Sequence, residues 1–202
     1  MRNARASTTL SIRAPSYLYV LPSAGEDILK LGMSRDPLAR MQAFHRRYFE
    51  QFDLDRGLLV ATETVRDAHS LEQSLRARLH EHNAPAPLLI RREAGGHTEW
   101  YRGAYAPLAS AVRELAQEGY EVHEPLRPWL AKALLRRGDD LFSWATSALE
   151  QATLRAGTGA LERLEPAELQ LMRDALDAYA AVQIDIRPLL PAEVFAWYTA
   201  RS

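Results

Sequence analysis

The sequence predicts an α/β (α+β) protein: a small three-stranded antiparallel sheet flanked by helices, then a C-terminal all-α appendage. Three observations predict it. Short period-two runs of aromatic and β-branched residues stand at 17–21 and 28–31. Segments with 3.6-residue periodicity alternate with a further strand signal up to about residue 120. Beyond Pro125 the strand signals stop and only helical periodicity continues.

The first strand is Tyr17-Leu18-Tyr19-Val20-Leu21, followed by a turn-rich connector holding Gly25 and a second strand, Ile28-Leu29-Lys30-Leu31. In a hairpin, alternation that buries Leu18, Val20, Leu29 and Leu31 on one face leaves Tyr19 and Lys30 together on the other. Asp36 as N-cap and Pro37 at the first helical position start a helix carrying Leu38, Met41, His45 and Tyr48. Arg56 to Thr64 reads as the third strand, and Asp67 to His82 as a helix with Ala68, Leu71, Leu75 and Leu79 on one stripe. A Pro- and Ala-rich loop from Asn83 leads through Leu88-Leu89-Ile90 to a Gly95-Gly96 turn, read as a mobile loop presenting Glu99. Glu99-Trp100-Tyr101 follows, then a helix bearing Leu108, Ala111, Val112 and Leu115.

Pro125 and Pro128 mark a boundary, which divides the chain into a basic tail (1–16), an α/β unit (17–124) and a helical unit of unknown role (125–202). The helical unit has one amphipathic segment through Leu141, Trp144, Ala145, Ala148, Leu149 and Ala152. A second runs through Leu169, Met172, Leu176 and Tyr179, and a Gly157-Thr158-Gly159 turn separates the two. Its Trp129, Trp144, Trp197 and Tyr198 are most simply core residues, and contact with a protein partner or a second copy is the role such a unit could add.

Composition narrows the function. A chain of 202 residues with 47% hydrophobic and 25% charged side chains buries a real core. No apolar run approaches the length of a membrane span, so no membrane role is expected. The absence of cysteine excludes disulfides, thiolate metal sites and thiol nucleophiles, and it suits a reducing, cytoplasmic setting. A net charge of −1 supplies no global attraction for a polyanion, so nucleic acid would have to meet a local patch. Arg35, Arg46 and Arg47 beside Arg40 make such a patch, and a solvated helix face explains the same arginines. Lys30 and Lys132 are the only lysines among the 25 basic residues, which singles Lys30 out on its strand. His80-Glu81-His82 has the wrong spacing for a zinc pair on one helix face.

The order of strands and helices, with Tyr19, Lys30, Gly32, Arg40 and Glu99 along it, resembles the GIY-YIG nuclease superfamily over residues 17 to about 102. The first motif falls on Tyr17-Leu18-Tyr19 and the second on Lys30-Leu31-Gly32. Arg40 matches the family arginine and Glu99 its metal-binding glutamate. Glu99-Trp100-Tyr101 looks like the Glu-Trp-Phe of a phage-type branch, as do Lys-Leu-Gly as second motif and Glu72 with Leu79-His80. The chain departs from the pattern by Tyr17 in place of glycine and Lys30 in place of tyrosine.

The resemblance implies a metal-dependent endonuclease acting on DNA with Mg²⁺, or Mn²⁺, held by Glu99. It gives catalytic roles to Tyr19, Lys30, Arg40, His45 and Glu99. Tyr19 would engage the attacking water, with Lys30 either lowering the phenol's pKa or acting as base. Arg40 would stabilise the transition state, and His45 would position phosphate or water. Tyr17, Ser34, Arg35, Arg46 and Arg47 would bind substrate. Taken singly, Tyr19 could be packing, Arg40 a surface ion pair, His45 a boundary histidine and Glu99 a strand-end carboxylate. A catalytically inactive nucleic-acid-binding or protein-interaction module on the same fold is the alternative.

Overall fold

A computed structural model describes residues 15–90, 92–156, 161 and 165–200. The basic tail's arginines and the Gly157-Thr158-Gly159 turn lie outside the described residues. Strand β1 (Ser16–Pro22) pairs antiparallel with β2 (Ile28–Ser34) on one side and β3 (Leu58–Thr62) on the other. These are the three predicted strands, but they are only the centre of a six-stranded sheet, and the expectation of three strands is wrong. Between β2 and β3 come α1 (Pro37–Phe44) and the one-turn α2 (Tyr48–Gln51), and α3 (Val65–Arg78) follows β3. Next are β4 (Asn83–Ala84), β5 (Trp100–Arg102), α4 (Tyr105–Gln117) and β6 (Glu121–His123). The strand order is β4-β5-β2-β1-β3-β6, antiparallel throughout. The three added strands hold two or three residues each, too few for alternation to register in the sequence.

Alternation along β1 and β2 gives the sheet two unlike faces. Leu18, Val20, Leu29 and Leu31, with Leu58 and Val60, pack against Leu75 and Leu79 at α3 and against Leu108 and Val112 of α4. Tyr19, Leu21 and Ile28 face the other way, onto Leu38, Met41 and Phe44 of α1 and onto the C-terminal helices. Those helices are α5 (Leu126–Leu135), α6 (Gly138–Ala156), α7 (Pro166–Ala181) and α8 (Ala192–Thr199). Leu126, Leu130, Leu176 and Val194 from them join the same buried cluster as Tyr19 and Phe44. Close approach is built in at Gly57, where a Cβ would lie 2.9 Å from that of Leu126.

Arg47 ties α2 to α7. Its guanidinium bonds Asp174 and Asp177, each at 2.8 Å, and also Glu50. Asp36 caps α1 as the sequence predicts, accepting from the Ala39 amide at 2.9 Å, but the helix does not run on to Tyr48. It stops at Phe44 because His45 is extended (φ −154°, ψ 139°) and its Nδ1 accepts the Arg47 amide hydrogen at 3.1 Å. No helix among the described residues is long and apolar enough to cross a membrane.

Candidate active site

The hairpin register builds the centre of the site. Tyr19 pairs with Gly32 and Leu21 with Lys30, so Tyr19, Lys30 and Gly32 share one face. The Tyr19 ring lies across Gly32. A Cβ there would come within 2.4 Å of the phenol oxygen, so no other residue fits without displacing the tyrosine. On the outer side of β2, Lys30 pairs with Trp100 of β5, and Leu31 N–H donates to the Glu99 carbonyl at 3.2 Å. That ladder delivers Glu99, one residue ahead of β5, to the buried end of Lys30. Arg40 reaches in from α1 with its guanidinium 4.3 Å from the Phe44 ring centroid and its Nε donating to the Tyr19 hydroxyl at 3.4 Å. The same guanidinium donates to the Ala94 carbonyl, which fixes it against the loop before Glu99.

Lys30 is fully buried, and its ammonium has three acceptors for its three hydrogens. They are Glu99 Oε2 at 2.6 Å, the Leu31 carbonyl at 3.1 Å and the Glu99 carbonyl at 3.4 Å. The other carboxylate oxygen of Glu99 accepts from Arg76 of α3 at 3.3 Å. Gly96 lies directly over this arrangement. At φ +68°, a Cβ on it would stand 2.9 Å from Glu99 Oε2, 3.0 Å from Lys30 Nζ and 3.1 Å from Arg40 Nη2. The Gly95-Gly96 segment therefore closes over the site as well as leading to Glu99.

The electrostatics follow from this packing. Burial pushes the Tyr19 phenol up to about 12, against the opposing hydrogen bond and charge of Arg40. Burial also lowers the Lys30 ammonium, while Glu99 pulls it back. For Glu99, burial alone would raise the carboxyl. The Lys30 hydrogen bond and charge, with the charges of Arg76 and Arg40, outweigh it and hold the group below its ordinary range. Glu72 on α3 is buried and shifted upward by desolvation, with the charge of Glu99 adding to the shift.

Of the residues that the sequence singled out, Tyr19, Lys30, Arg40 and Glu99 meet in one cluster. The others lie elsewhere. His45 caps the C-terminal end of α1 and is engaged by the Arg47 amide. Tyr17 packs edge-on to Trp129, with ring centroids 5.5 Å apart. Ser34 Oγ accepts from the Asp36 amide at 3.0 Å. Arg35 and Arg46 are exposed, and Arg47 is committed to acidic partners on α2 and α7. Sequence reasoning missed Arg76, and it read Gly96 only as part of the loop presenting Glu99, not as the residue lying over the cluster. The signal available for Arg76 was its i+4 spacing from Glu72, a carboxylate on the otherwise apolar stripe of α3.

Glu99 suits a hard divalent cation in one respect. It is an ionised carboxylate whose side chain is 22% exposed, reached from the Arg76 side. Among the described residues no group of three or more metal-ligating side chains surrounds it, so water and substrate oxygens would complete the shell.

The family model of the T5orf172 domain matches residues 16–116, half of the chain, and spans all four clustered residues together with Arg76 and Gly96. This is a phage-associated domain linked to nucleases of the GIY-YIG and HNH types. No curated protein and no solved structure matches the chain.

Proposed function

The chain belongs to the T5orf172 domain family, and from that premise we propose that it is a metal-dependent endonuclease hydrolysing phosphodiester bonds in DNA by a one-metal, GIY-YIG-type route. The observation that supports this reading best is the meeting of Tyr19, Lys30, Arg40 and Glu99, drawn from β1, β2, α1 and the start of β5.

Glu99 would hold Mg²⁺ or Mn²⁺. A divalent cation bound there supplies Lewis-acid stabilisation of the leaving oxygen. Arg40, fixed by Phe44, Ala94 and Tyr19, presents permanent positive charge to the phosphate oxygens as negative charge builds on them. Tyr19, with its phenol near 12, keeps its proton at neutral pH and acts as a hydrogen-bond partner that orients the attacking water. Lys30 is a positioning residue. With all three hydrogens committed, it holds Glu99 ionised and aimed outward, and the geometry favours this role over that of base.

A second reading has one observation in its favour: both carboxylate oxygens of Glu99 already face cations, Lys30 and Arg76. A binding module without catalysis would keep such a closed arrangement. Labelled single-stranded, duplex and branched DNA, and RNA, incubated with Mg²⁺ or Mn²⁺, separate the two readings. The endonuclease cuts DNA, and cutting is lost with EDTA and in Glu99→Ala. Salt-sensitive binding with no cutting under any of these conditions would establish the module instead.

A further inference from the structure

Two open grooves of about 600 Å³ each lie at opposite edges of the sheet, and their linings differ in charge. The groove at the β3–β6 edge carries Glu63, Asp67, Glu118 and Glu121, a lining that repels a phosphodiester chain. The groove at the β4–β5 edge has no carboxylate in its lining. One of its walls is the C-terminal half of α3, which contributes Gln73, Arg76 and Ala77, with His80 from the 3-10 turn just beyond the helix. Spacings of three and four residues put Gln73, Arg76 and Ala77 on a single helix face. Thr98 and Tyr101 stand on the opposite wall, and Arg76, which bonds Glu99, joins the groove to the proposed site. From residue 73 to the end of α3 at residue 78 the wall runs about 8 Å at 1.5 Å per residue, the length of a short stretch of one strand and not of a duplex turn.

Arg76 belongs to both the groove and the cluster. Of the two cations on Glu99 it is the one able to exchange partners. Its side chain is 39% exposed and its contact is 3.3 Å, whereas Lys30 is fully buried with a contact of 2.6 Å. A carboxylate that takes up a divalent cation no longer needs this second positive charge, and a guanidinium so released stays in a groove with no carboxylate to repel a phosphodiester chain. We propose that the groove between α3 and β5 holds the DNA strand next to the scissile phosphate, and that Arg76 exchanges its bond to Glu99 for one to a backbone phosphate. The proposal rests on the endonuclease reading and adds to it the path of the substrate and the residue that joins substrate binding to the release of Glu99.

Fluorescein-labelled single-stranded and duplex DNA, titrated with full-length protein in Ca²⁺ and read by anisotropy, tests it. The variants are Arg76→Gln, Ala77→Trp, which fills the groove without changing charge, and Arg78→Gln. Arg78 is exposed on the same helix but outside the groove, so it matches the charge loss of Arg76→Gln. Thermal melting checks that all three are folded. Arg76→Gln and Ala77→Trp are expected to bind about tenfold more weakly, the scale of one hydrogen bond to a charged group, and Arg78→Gln much less so. Arg76→Gln should also lower the salt dependence of binding by about one counterion. Equal binding by all three variants of a protein that cuts DNA overturns the groove and leaves the endonuclease standing. Wild-type protein that neither binds nor cuts DNA removes both readings together.

Discussion

Lys30 and Leu31 are neighbours on β2, both with no solvent exposure, and they point to opposite sides of the sheet. The side Leu31 faces is closed by α3 and α4 around a mainly apolar core, with Glu72 of α3 as its one buried carboxylate among the described residues. The side Lys30 faces has the same aromatic and aliphatic backing, but a charged cluster of Lys30, Glu99, Arg40 and Tyr19 is set into its edge. The difference shows what burial of charge requires here. The ammonium is tolerated because every hydrogen has an acceptor and its counter-ion retains a face to solvent. The charged cluster sits on one side of the sheet, with Arg76 of α3 reaching it from the other.

The sharpest test of that contrast is the pair Lys30→Met and Leu31→Ala. Leu31→Ala should lose about 2–5 kcal/mol in denaturant unfolding, the range for a truncated core leucine. Lys30→Met keeps the volume and leaves Glu99 with Arg76, Arg40 and water, so it should cost less stability. Its cutting, however, should fall by about 100-fold or more, the scale of a lost electrostatic group in an active site. The opposite order of stabilities would break the comparison. Gly32→Ala comes next. The added methyl collides with the Tyr19 phenol, and overpacking of about 1–3 kcal/mol should accompany slowed cleavage, read by melting and by single-turnover rates.

A smaller effect is expected from Arg47→Ala, about 1–2 kcal/mol, since it breaks the bonds to Asp174 and Asp177 with a side chain 27% exposed. The smallest is Glu72→Gln, and it depends on pH. The folded protein raises the Glu72 carboxyl above the ordinary 4.5, so between 4.5 and that raised value the folded state binds more protons than the unfolded. Stability therefore falls as pH rises through that window, and the penalty is complete above it. Glu72→Gln lacks the penalty and should melt higher than wild type at pH 7, with the difference gone below the ordinary carboxylate pKa.

The hairpin face was legible because alternation has a fixed period and the apolar set Leu18, Val20, Leu29 and Leu31 leaves one choice of inside. Asp36-Pro37 fixed the start of α1 by capping chemistry alone. Strands β4 and β6 were not legible, since two or three residues hold a ladder only when a neighbouring strand is already there. The break at His45 depends on a side-chain bond to the backbone that periodicity does not encode. Arg47 looked like part of a phosphate-binding patch, yet its partners stand 127 and 130 residues away, beyond any local pattern. Arg76 escaped for the same reason, because Glu99 meets it only once β5 has joined β2.

The core that backs Tyr19 and Phe44 also contains Leu126, Leu130, Leu176 and Val194, and Arg127 bonds both Asp55 and the Ala181 carbonyl. The helical half is therefore not an interchangeable cassette. A chain ending near residue 124 would present that apolar surface to water, and a foreign domain grafted there would need to reproduce its shape. Wholesale exchange of α5 to α8 would dismantle the wall behind the chemistry, so sequence change in this half is tolerated on the outer surfaces of the helices and not on their inner faces.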